Sequence, residues 1–323
     1  MNDLISIIIP IFNNEKFLNE VLISIIDTND EANYEIILVD DGSNDRSPKI
    51  CDSYARKYEN IHTFHKKNKG VSAARNFGIK KATGKWLWFI DGDDIPFEGA
   101  VDKLHIILKN NEADTYIFGY YIFEKKLIPD SNSSINVFNI SKKKAVGTIL
   151  EPKYAGYPWN KIFKKSIILS NNIKFPENMS MCEDLEFCYK AYEKSKSFKF
   201  IPCPLYGYRC TNNSISHNIS NKHFKDQAIA NYDFYEYIRK NFPTYTLMCL
   251  KNTIIAVVAY LHRYSSEDSQ YETLARFLKQ VQIRDVGLSK RYLIEIWSFR
   301  KCQLLFKAIG LIGKISRKLE HNI

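Results

Sequence analysis

The chain has 323 residues, a formal net charge of +10, 45% hydrophobic and 25% charged residues. That composition excludes a disordered or low-complexity chain, and the length points to one large domain plus an appendage. Seven cysteines without a Cys-x-x-Cys pair exclude a zinc-finger spacing and fit unpaired thiols in a reducing compartment.

Asp3 stands where an export signal would carry positive charge, and the first apolar run stops at Pro10, so no export signal is expected. No apolar run reaches the roughly 18 residues of a spanning helix. Thr253 to Leu261 comes nearest, with Lys251 just ahead of it. The chain is expected to be cytoplasmic, either soluble or peripheral on the inner face of the plasma membrane.

Leu4 to Ile9 is a continuous apolar run that ends at Pro10, as in a strand buried on both faces. After the polar loop 13–15, apolar positions from Phe17 to Ile26 recur at helical spacing. Glu35 to Val39 is a second strand, closed by Asp40-Asp41-Gly42-Ser43. Ser47 to Tyr58 is a helix, with Ser47 as its cap and Pro48 in its first turn. Ile61 to His65 is a third strand, and the basic loop 66–70 follows. Val71 to Ala82 is a helix with Ser72 as cap and Gly84 just past its end. Trp86 to Ile90 is five apolar residues, aromatic and β-branched, long enough for a buried strand and too short for a buried helix.

This alternation predicts an α/β fold with a doubly wound, mostly parallel sheet, whose ligands bind beyond the carboxyl ends of the strands. Next come a helix from Ala100 to Lys109, a strand from Thr115 to Phe123 and a surface loop over 125–141. A short helix from Lys164 to Asn171 precedes one opening at Met181-Cys182-Glu183-Asp184 and running to Lys194. Phe198 to Ile201 and Leu205 to Tyr208 read as two short strands. From 222 onwards the pattern is helical only, over 222–240, 244–263, 270–281 and 288–319, so a boundary is placed near 218.

Three carboxylates fall within four positions at Asp91-Gly92-Asp93-Asp94, where a buried strand must end. Crowded carboxylates repel unless a cation binds them or their pKa values rise, and a hard divalent cation suits such oxygens. The same run also suits a plain polar turn. Asp40 and Asp41 end the second strand, where carboxylates meet a base or ribose in nucleotide folds, or simply cap a turn. There is no Gly-x-Gly-x-x-Gly after the first strand and no P-loop, so a bound diphosphate would need a metal.

Ser-Ile-Ile-Ile-Pro-Ile-Phe-Asn (6–13), Ile-Leu-Val-Asp-Asp-Gly-Ser-Asn-Asp (37–45), Lys-Gly-Val-Ser-Ala-Ala-Arg-Asn-Phe-Gly-Ile (69–79), Phe-Ile-Asp-Gly-Asp-Asp (89–94), Trp-Asn-Lys (159–161) and Glu-Asp-Leu-Glu-Phe (183–187) stand in this order. Together they resemble the inverting GT-A-fold glycosyltransferases of family two, of the bacterial capsule, exopolysaccharide and O-antigen type. The likeness runs from 4 to about 217. It implies a GT-A catalytic domain over 1–217, with a nucleotide-sugar half to about 95 and an acceptor half over 96–217, before a helical region over 218–323.

The resemblance also implies roles. Pro10, Phe12, Asn13 and Glu15 would line the nucleotide pocket, Asp41 would meet uracil with Asp40 beside it, and Arg75 would face the donor nucleotide. Asp91, Gly92 and Asp93 match the family's Asp-x-Asp motif. Asp93 would ligate Mn²⁺ or Mg²⁺, with Asp91 holding the ribose or the ion's water shell and His217 as a further ligand. Asp94 would be structural. Asp184, with Glu183 second, would be the general base, although acidic residues are also favoured at a helix N-terminus. Trp159, Asn160 and Lys161 would face sugar or acceptor, Trp159 being otherwise plain core. The implied reaction moves a sugar from a UDP-sugar to a hydroxyl of a lipid-linked or soluble glycan.

Residues 288–323 carry eight Lys/Arg against Glu295 and Glu320, a net +6, around an apolar stripe from Leu304 to Ile315. Such a basic amphipathic helix suits an anionic membrane surface, packing on the catalytic domain, or a homodimer contact. Two rival readings weigh less. An aspartyl-nucleophile phosphatase wants Thr or Val where Ile95 stands. A nucleic-acid- or membrane-binding protein without transfer activity would place its basic residues in the cleft, whereas here the strand ends are acidic; no nucleic-acid partner is expected.

Overall fold

The computed structural model of the chain describes residues 4–26, 33–110, 112–124, 136–210 and 220–320, the side chains of 313–320 excepted. The chain divides into two compact units, Met1–Met179 with Glu183–His217, and Ser180–Cys182 with Asn218–Ile323. None of the seven cysteines is in a disulfide.

Among the described residues the first unit is built on a nine-stranded sheet: β1 (Ile5–Ile11), β2 (Tyr34–Asp40), β3 (Ile61–His65), β4 (Trp86–Phe89), β5 (Ile95–Pro96), β6 (Thr115–Phe123), β7 (Phe138–Ile140), β8 (Lys161–Lys164) and β9 (Phe198–Arg209). Their order is β3-β2-β1-β4-β8-β6-β9-β5, with β7 also on β9. The first four strands pair in parallel, as the helices α1 (Leu18–Ile26), α2 (Ser47–Lys57) and α3 (Val71–Lys81) between them require. Every residue of β1 is buried, which is why its isoleucines show no alternation. Odd positions of β1 pack on Leu18, Val21, Leu22 and Ile25 of α1 and on α4 (Ala100–Asn110).

Register places the strand ends together. Ile11 lies opposite Asp40, and Ile8 opposite Phe89, so the residues after Phe89 emerge beside the end of β1. The doubly wound α/β architecture is as expected, with one amendment. β8 enters antiparallel between β4 and β6 and so joins the parallel half to the later strands.

On the other face, Phe89, Phe163, Phe175 and Phe187 form a ring cluster, with Phe175 and Phe187 stacked at 3.9 Å. It holds α7 (Glu183–Lys194) against β4 and β8. Two more helices, α5 (Lys142–Leu150) and α6 (Lys165–Ser170), complete this unit.

Several local expectations are corrected. Ser47 does not cap α2; its Oγ accepts from the Asn14 N–H at 2.9 Å, and Arg46 precedes the helix. Ser72 lies inside α3, behind Gly70. The two short strands expected at 198–208 are one strand, β9, with register shifts against β6. The loop expected over 125–141 holds β7 at its end, and residues 125–135 lie outside the described set.

The second unit is helical: α8 (Asn221–Asn241), α9 (Thr246–Leu261), α10 (Tyr271–Gln280), α11 (Lys290–Lys301) and α12 (Gln303–Glu320). The single helix expected over 288–319 breaks at Cys302, whose backbone is extended. Pro243–Leu261 is 19 residues with a mean hydropathy of 1.4, long and apolar enough by length and composition to span a bilayer, although Lys251 and Asn252 interrupt its apolar run. Half of that window is buried, as in a core helix, and the Thr253 hydroxyl donates to the Asn231 carbonyl of α8 at 3.1 Å.

Candidate active site

The ends of β1 and β2 are stitched together by side chains that read each other's backbone. The Asn13 N–H donates to Ser43 Oγ at 3.0 Å, and Asn13 Oδ1 accepts from the Asn44 N–H at 2.9 Å. Glu15 accepts from the Arg46 N–H at 2.8 Å and pairs with its guanidinium at 3.3 Å. Asn13 is in the left-handed region at φ 55, where Asn is tolerated. Asn13 and Glu15, expected to line a nucleotide pocket, therefore spend their side chains on the loops. Pro10 is buried in β1, whereas Phe12 is 47% exposed at its end and free to stack on a planar ring.

Asp40 is likewise committed. Its carboxylate meets His65 Nδ1 at 2.8 Å and accepts from the Ser43 N–H at 3.0 Å, and that contact raises the His65 pKa. Asp41 is buried and accepts from the N–H groups of Lys69 and Gly70, at 3.1 and 2.7 Å. Burial still pushes its carboxyl above the ordinary value.

The turn after β4 is fixed from β9. The Tyr206 hydroxyl donates to Asp94 Oδ2 at 2.7 Å and accepts from the Asp91 N–H at 3.1 Å. The Arg209 N–H donates to Asp94 Oδ1 at 2.8 Å, its Nε donates to the Asp93 carbonyl at 2.7 Å, and its Nη2 reaches Glu20 at 2.7 Å. The Arg209 guanidinium is enclosed by the rings of Phe17 and Phe123. Gly92 has no room for a side chain: a Cβ would lie 2.9 Å from the Asn14 amide and 3.2 Å from the Pro10 carbonyl. Burial, then repulsion from Asp91, pushes Asp93 up to about 6. Asp94 is fully enclosed, and burial with repulsion from Asp91 and Asp93 pushes its carboxyl well above the ordinary value.

Beside this turn, α3 delivers Arg75, 3% exposed, to three carboxylates at once. Its Nη2 donates to Asp91 Oδ1 at 2.8 Å, and its Nη1 donates to Asp184 Oδ1 at 2.7 Å and Glu183 Oε1 at 3.4 Å. Phe175 lies under the guanidinium. A planar fork can bridge several carboxylates in this way; a lysine ammonium cannot. One positive charge faces three negative ones, so burial and the repulsion of Glu183 and Asp91 outweigh Arg75 and leave Asp184 raised. A raised carboxyl with one oxygen outside the ion pair is suited to take a proton.

Trp159, Asn160 and Lys161, expected at the sugar or acceptor, are all buried. Trp159 is 3% exposed, stacked between Tyr157 at 4.8 Å and Tyr206 at 4.7 Å. Lys161 is fully buried, and its Nζ donates to the carbonyls of Tyr154, Ala155 and Tyr157 and to Asn160 Oδ1. Burial lowers its pKa to about 8. The motif is a clamp that holds the 154–157 loop, with Tyr157 on the open side of the ring stack. His217 lies outside the described residues.

The structure thus brings Arg75, Asp91, Glu183 and Asp184 together beside Asp93, and turns Asn13, Glu15, Asp40, Asn160 and Lys161 to internal supports. Arg75, expected to face the donor nucleotide, holds Asp91, Glu183 and Asp184. The sequence reading missed Tyr206 and Arg209, which lie 112 to 116 positions from their partners in the turn after β4.

The family model described as glycosyl transferase family 2 matches residues 6–170. The chain is similar to EpsJ, an uncharacterised glycosyltransferase of Bacillus subtilis, at 29% identity over 247 residues, 73% of this chain and 71% of that protein. It is similar to the glycosyltransferase GlyG of Streptococcus pneumoniae serotype 4 at 31% identity over 228 residues, 67% and 73% of the two chains. In fold it is similar to S. aureus TarS 1-349, crystallised with UDP, with a TM-score of 0.66 over 97% of this chain and 91% of that one, at 17% identity. The family match takes in half of the chain, Arg75, Asp91 and Asp93 among it, and the chain belongs to glycosyl transferase family 2.

Proposed function

We propose that this glycosyltransferase moves a hexosyl or N-acetylhexosaminyl group from a UDP-sugar to a glycan hydroxyl with inversion, in the synthesis of a cell-surface polysaccharide such as a capsule or exopolysaccharide. The observation that carries this reading is the cluster of Arg75, Asp91, Glu183 and Asp184 beside Asp93 at the carboxyl end of the parallel strands. The UDP bound to the similarly folded TarS supports the choice of base. Phe12 and Asp41, at the ends of β1 and β2, would meet the uracil.

The residues present fit Mn²⁺ or Mg²⁺. Among the described residues no three His, Cys, Asp or Glu side chains gather into a cage. Magnesium-type sites use one or two carboxylates and complete their shell with substrate phosphates and water. Asp93, with Asp91, would supply that pair. Such an ion offsets the charge that builds on the departing diphosphate.

The rest falls to this chain's own groups. Asp184 accepts the proton of the acceptor hydroxyl as its oxygen bonds to the anomeric carbon, and the bond from that carbon to the diphosphate oxygen breaks. Arg75 holds Asp184 and Asp91 at fixed separation, so base and donor site keep their register. The acceptor proposed is lipid-linked, reached at the inner face of the plasma membrane.

Thermal melts with UDP, GDP, CMP and dTDP, each with Mn²⁺ and with EDTA, test the donor. At about 100 times its dissociation constant a ligand of the native state adds about 2.7 kcal/mol. Stabilisation by UDP that EDTA and Asp93→Ala both remove is the expected result. Absence of a shift with every nucleotide would falsify the donor reading.

A further inference from the structure

In the second unit, α11 and α12 leave large apolar side chains in solvent. On α11, Lys290, Ile294, Trp297 and Lys301 recur at three- and four-residue spacing and share one exposed face, with Trp297 at 56% exposure. The opposite face buries Ile296, Ser298 and Phe299. On α12, Leu304, Leu305, Leu311 and Ile312 are exposed, Leu304 at 81%. Phe306 is the anchor of that helix, stacked on His262 at 3.9 Å and edge-on to Phe299 at 5.0 Å.

Among the described residues of α11 and α12, the exposed charges have one sign: Lys290, Arg291, Lys301 and Lys307. Residues 288–323 hold eight Lys/Arg against two Glu, a net +6. Glu295 is buried and occupied by Arg291 at 2.8 Å and His262 at 3.5 Å, so it does not offset the surface. Lys290, Lys301 and Lys307 are exposed among the apolar groups. An exposed apolar band of this extent marks a contact surface. A second copy would bring exposed lysines against lysines across a symmetric contact, where like charges repel. An anionic bilayer offers the opposite charge to the lysines and an apolar layer to Trp297 and Leu304, and tryptophan favours that boundary.

We propose that α11 and α12 form a docking face for an anionic lipid bilayer, with Trp297, Ile294 and Leu304 entering the apolar layer and Lys290, Lys301 and Lys307 meeting the headgroups. For its purpose it rests on the lipid-linked acceptor proposed above; its observations come from the helices alone.

The full chain carries its own probe. Of its four tryptophans, Trp86, Trp88 and Trp159 are buried, so a change in emission on docking reports Trp297. The experiment is co-sedimentation with vesicles of phosphatidylglycerol and phosphatidylcholine, and with phosphatidylcholine alone. The protein is expected to sediment with the anionic vesicles only, to come off in high salt, and to shift its emission to the blue. Trp297→Phe should keep sedimentation and lose the shift. Trp297→Glu with Leu304→Glu, and separately Lys301→Glu with Lys307→Glu, should weaken binding at least roughly tenfold with an unchanged melting temperature.

No sedimentation with anionic vesicles, or sedimentation that both double variants leave intact, overturns the proposal. Self-association that the double variants abolish, without vesicle binding, gives the face to a second copy and also overturns it. A UDP-dependent thermal shift on the same preparation separates the two readings. Vesicle binding without that shift sinks the donor assignment alone, and the shift without vesicle binding sinks the docking face alone.

Discussion

Arg75 and Asp184 lie 109 positions apart in the chain and 2.7 Å apart in space, and their ion pair ties α3 to the start of α7. The same guanidinium holds Asp91 at 2.8 Å, so one buried side chain sets the distance between the end of β4 and the proposed base.

Removing that guanidinium leaves three partly buried carboxylates facing each other. Arg75→Ala is expected to destabilise the fold by about 3–5 kcal/mol, the usual cost of breaking a buried pair from one side. Urea denaturation of the two proteins at neutral pH measures it. A loss under about 1 kcal/mol would mean that water, not Arg75, balances the carboxylates.

Asp184→Asn keeps the shape of the side chain and removes its basicity. Transfer should fall by about 10²–10⁴-fold, while UDP affinity and the melting temperature stay near those of the parent. Glu183→Gln should cost less, because Glu183 is the more distant from Arg75, at 3.4 Å. If Glu183→Gln is the more damaging of the two, the base has been assigned to the wrong neighbour.

Asp93 is expected to trade stability for binding. Its folded-state carboxyl is raised from 3.8 to about 6, first by burial and then by Asp91. It therefore holds its proton more tightly in the folded than in the unfolded chain. The penalty for ionising it grows as pH rises from near 4 through about 6 and stands in full above that. Asp93→Asn should then stabilise the metal-free protein at pH 7 by up to about 3 kcal/mol, and by nothing near pH 3. The same variant should lose the metal-dependent response to UDP. Melts from pH 3 to pH 8 in EDTA decide it, and a gain that persists at the acid end would remove Asp93 as the cause.

Tyr206→Phe takes one hydroxyl from two partners, the enclosed Asp94 carboxyl and the Asp91 N–H. The expected cost is about 2–4 kcal/mol, from one donor and one acceptor left unsatisfied. Because the hydroxyl fixes the Asp91–Asp94 turn, Mn²⁺ affinity measured with UDP present should drop as well. A variant that loses stability but binds Mn²⁺ unchanged would show the turn to be held by Arg209 alone.

How much of this was legible in the sequence depended on the range of each interaction. β1 and β4 could be read because a strand covered on both faces is apolar at nearly every position, and Ile7, Ile8 and Ile9 leave no other reading. β8 could not: four residues starting at a lysine carry no strand signal, and Lys161 is tolerated inside only because three carbonyls of a neighbouring loop surround it. Pro202 and Pro204 made β9 look like two strands, since proline ends most central strands and here falls where the register shifts. The break at Cys302 lacks a glycine or proline to announce it. Asp91, Asp93 and Asp184 stood out as carboxylates at element ends. Arg209 and Tyr206 did not, because nothing near them in the chain reveals an acceptor more than a hundred residues earlier.

The reach of the Arg75 pair has a consequence for synthesis on the ribosome. A nascent chain that has delivered β1 to β4 already holds Arg75 and Asp91, but Glu183 and Asp184 are still to be made. The strand that joins the two halves of the sheet, β8, arrives at 161–164, and the phenylalanine that seats α7 arrives at 187. Until then the guanidinium has one carboxylate where the finished protein gives it three. The proposed site is therefore completed late, only once β9 has also delivered Tyr206 and Arg209 to the turn, and a chain truncated before α7 would carry its Asp-Gly-Asp-Asp turn without the base needed to use it.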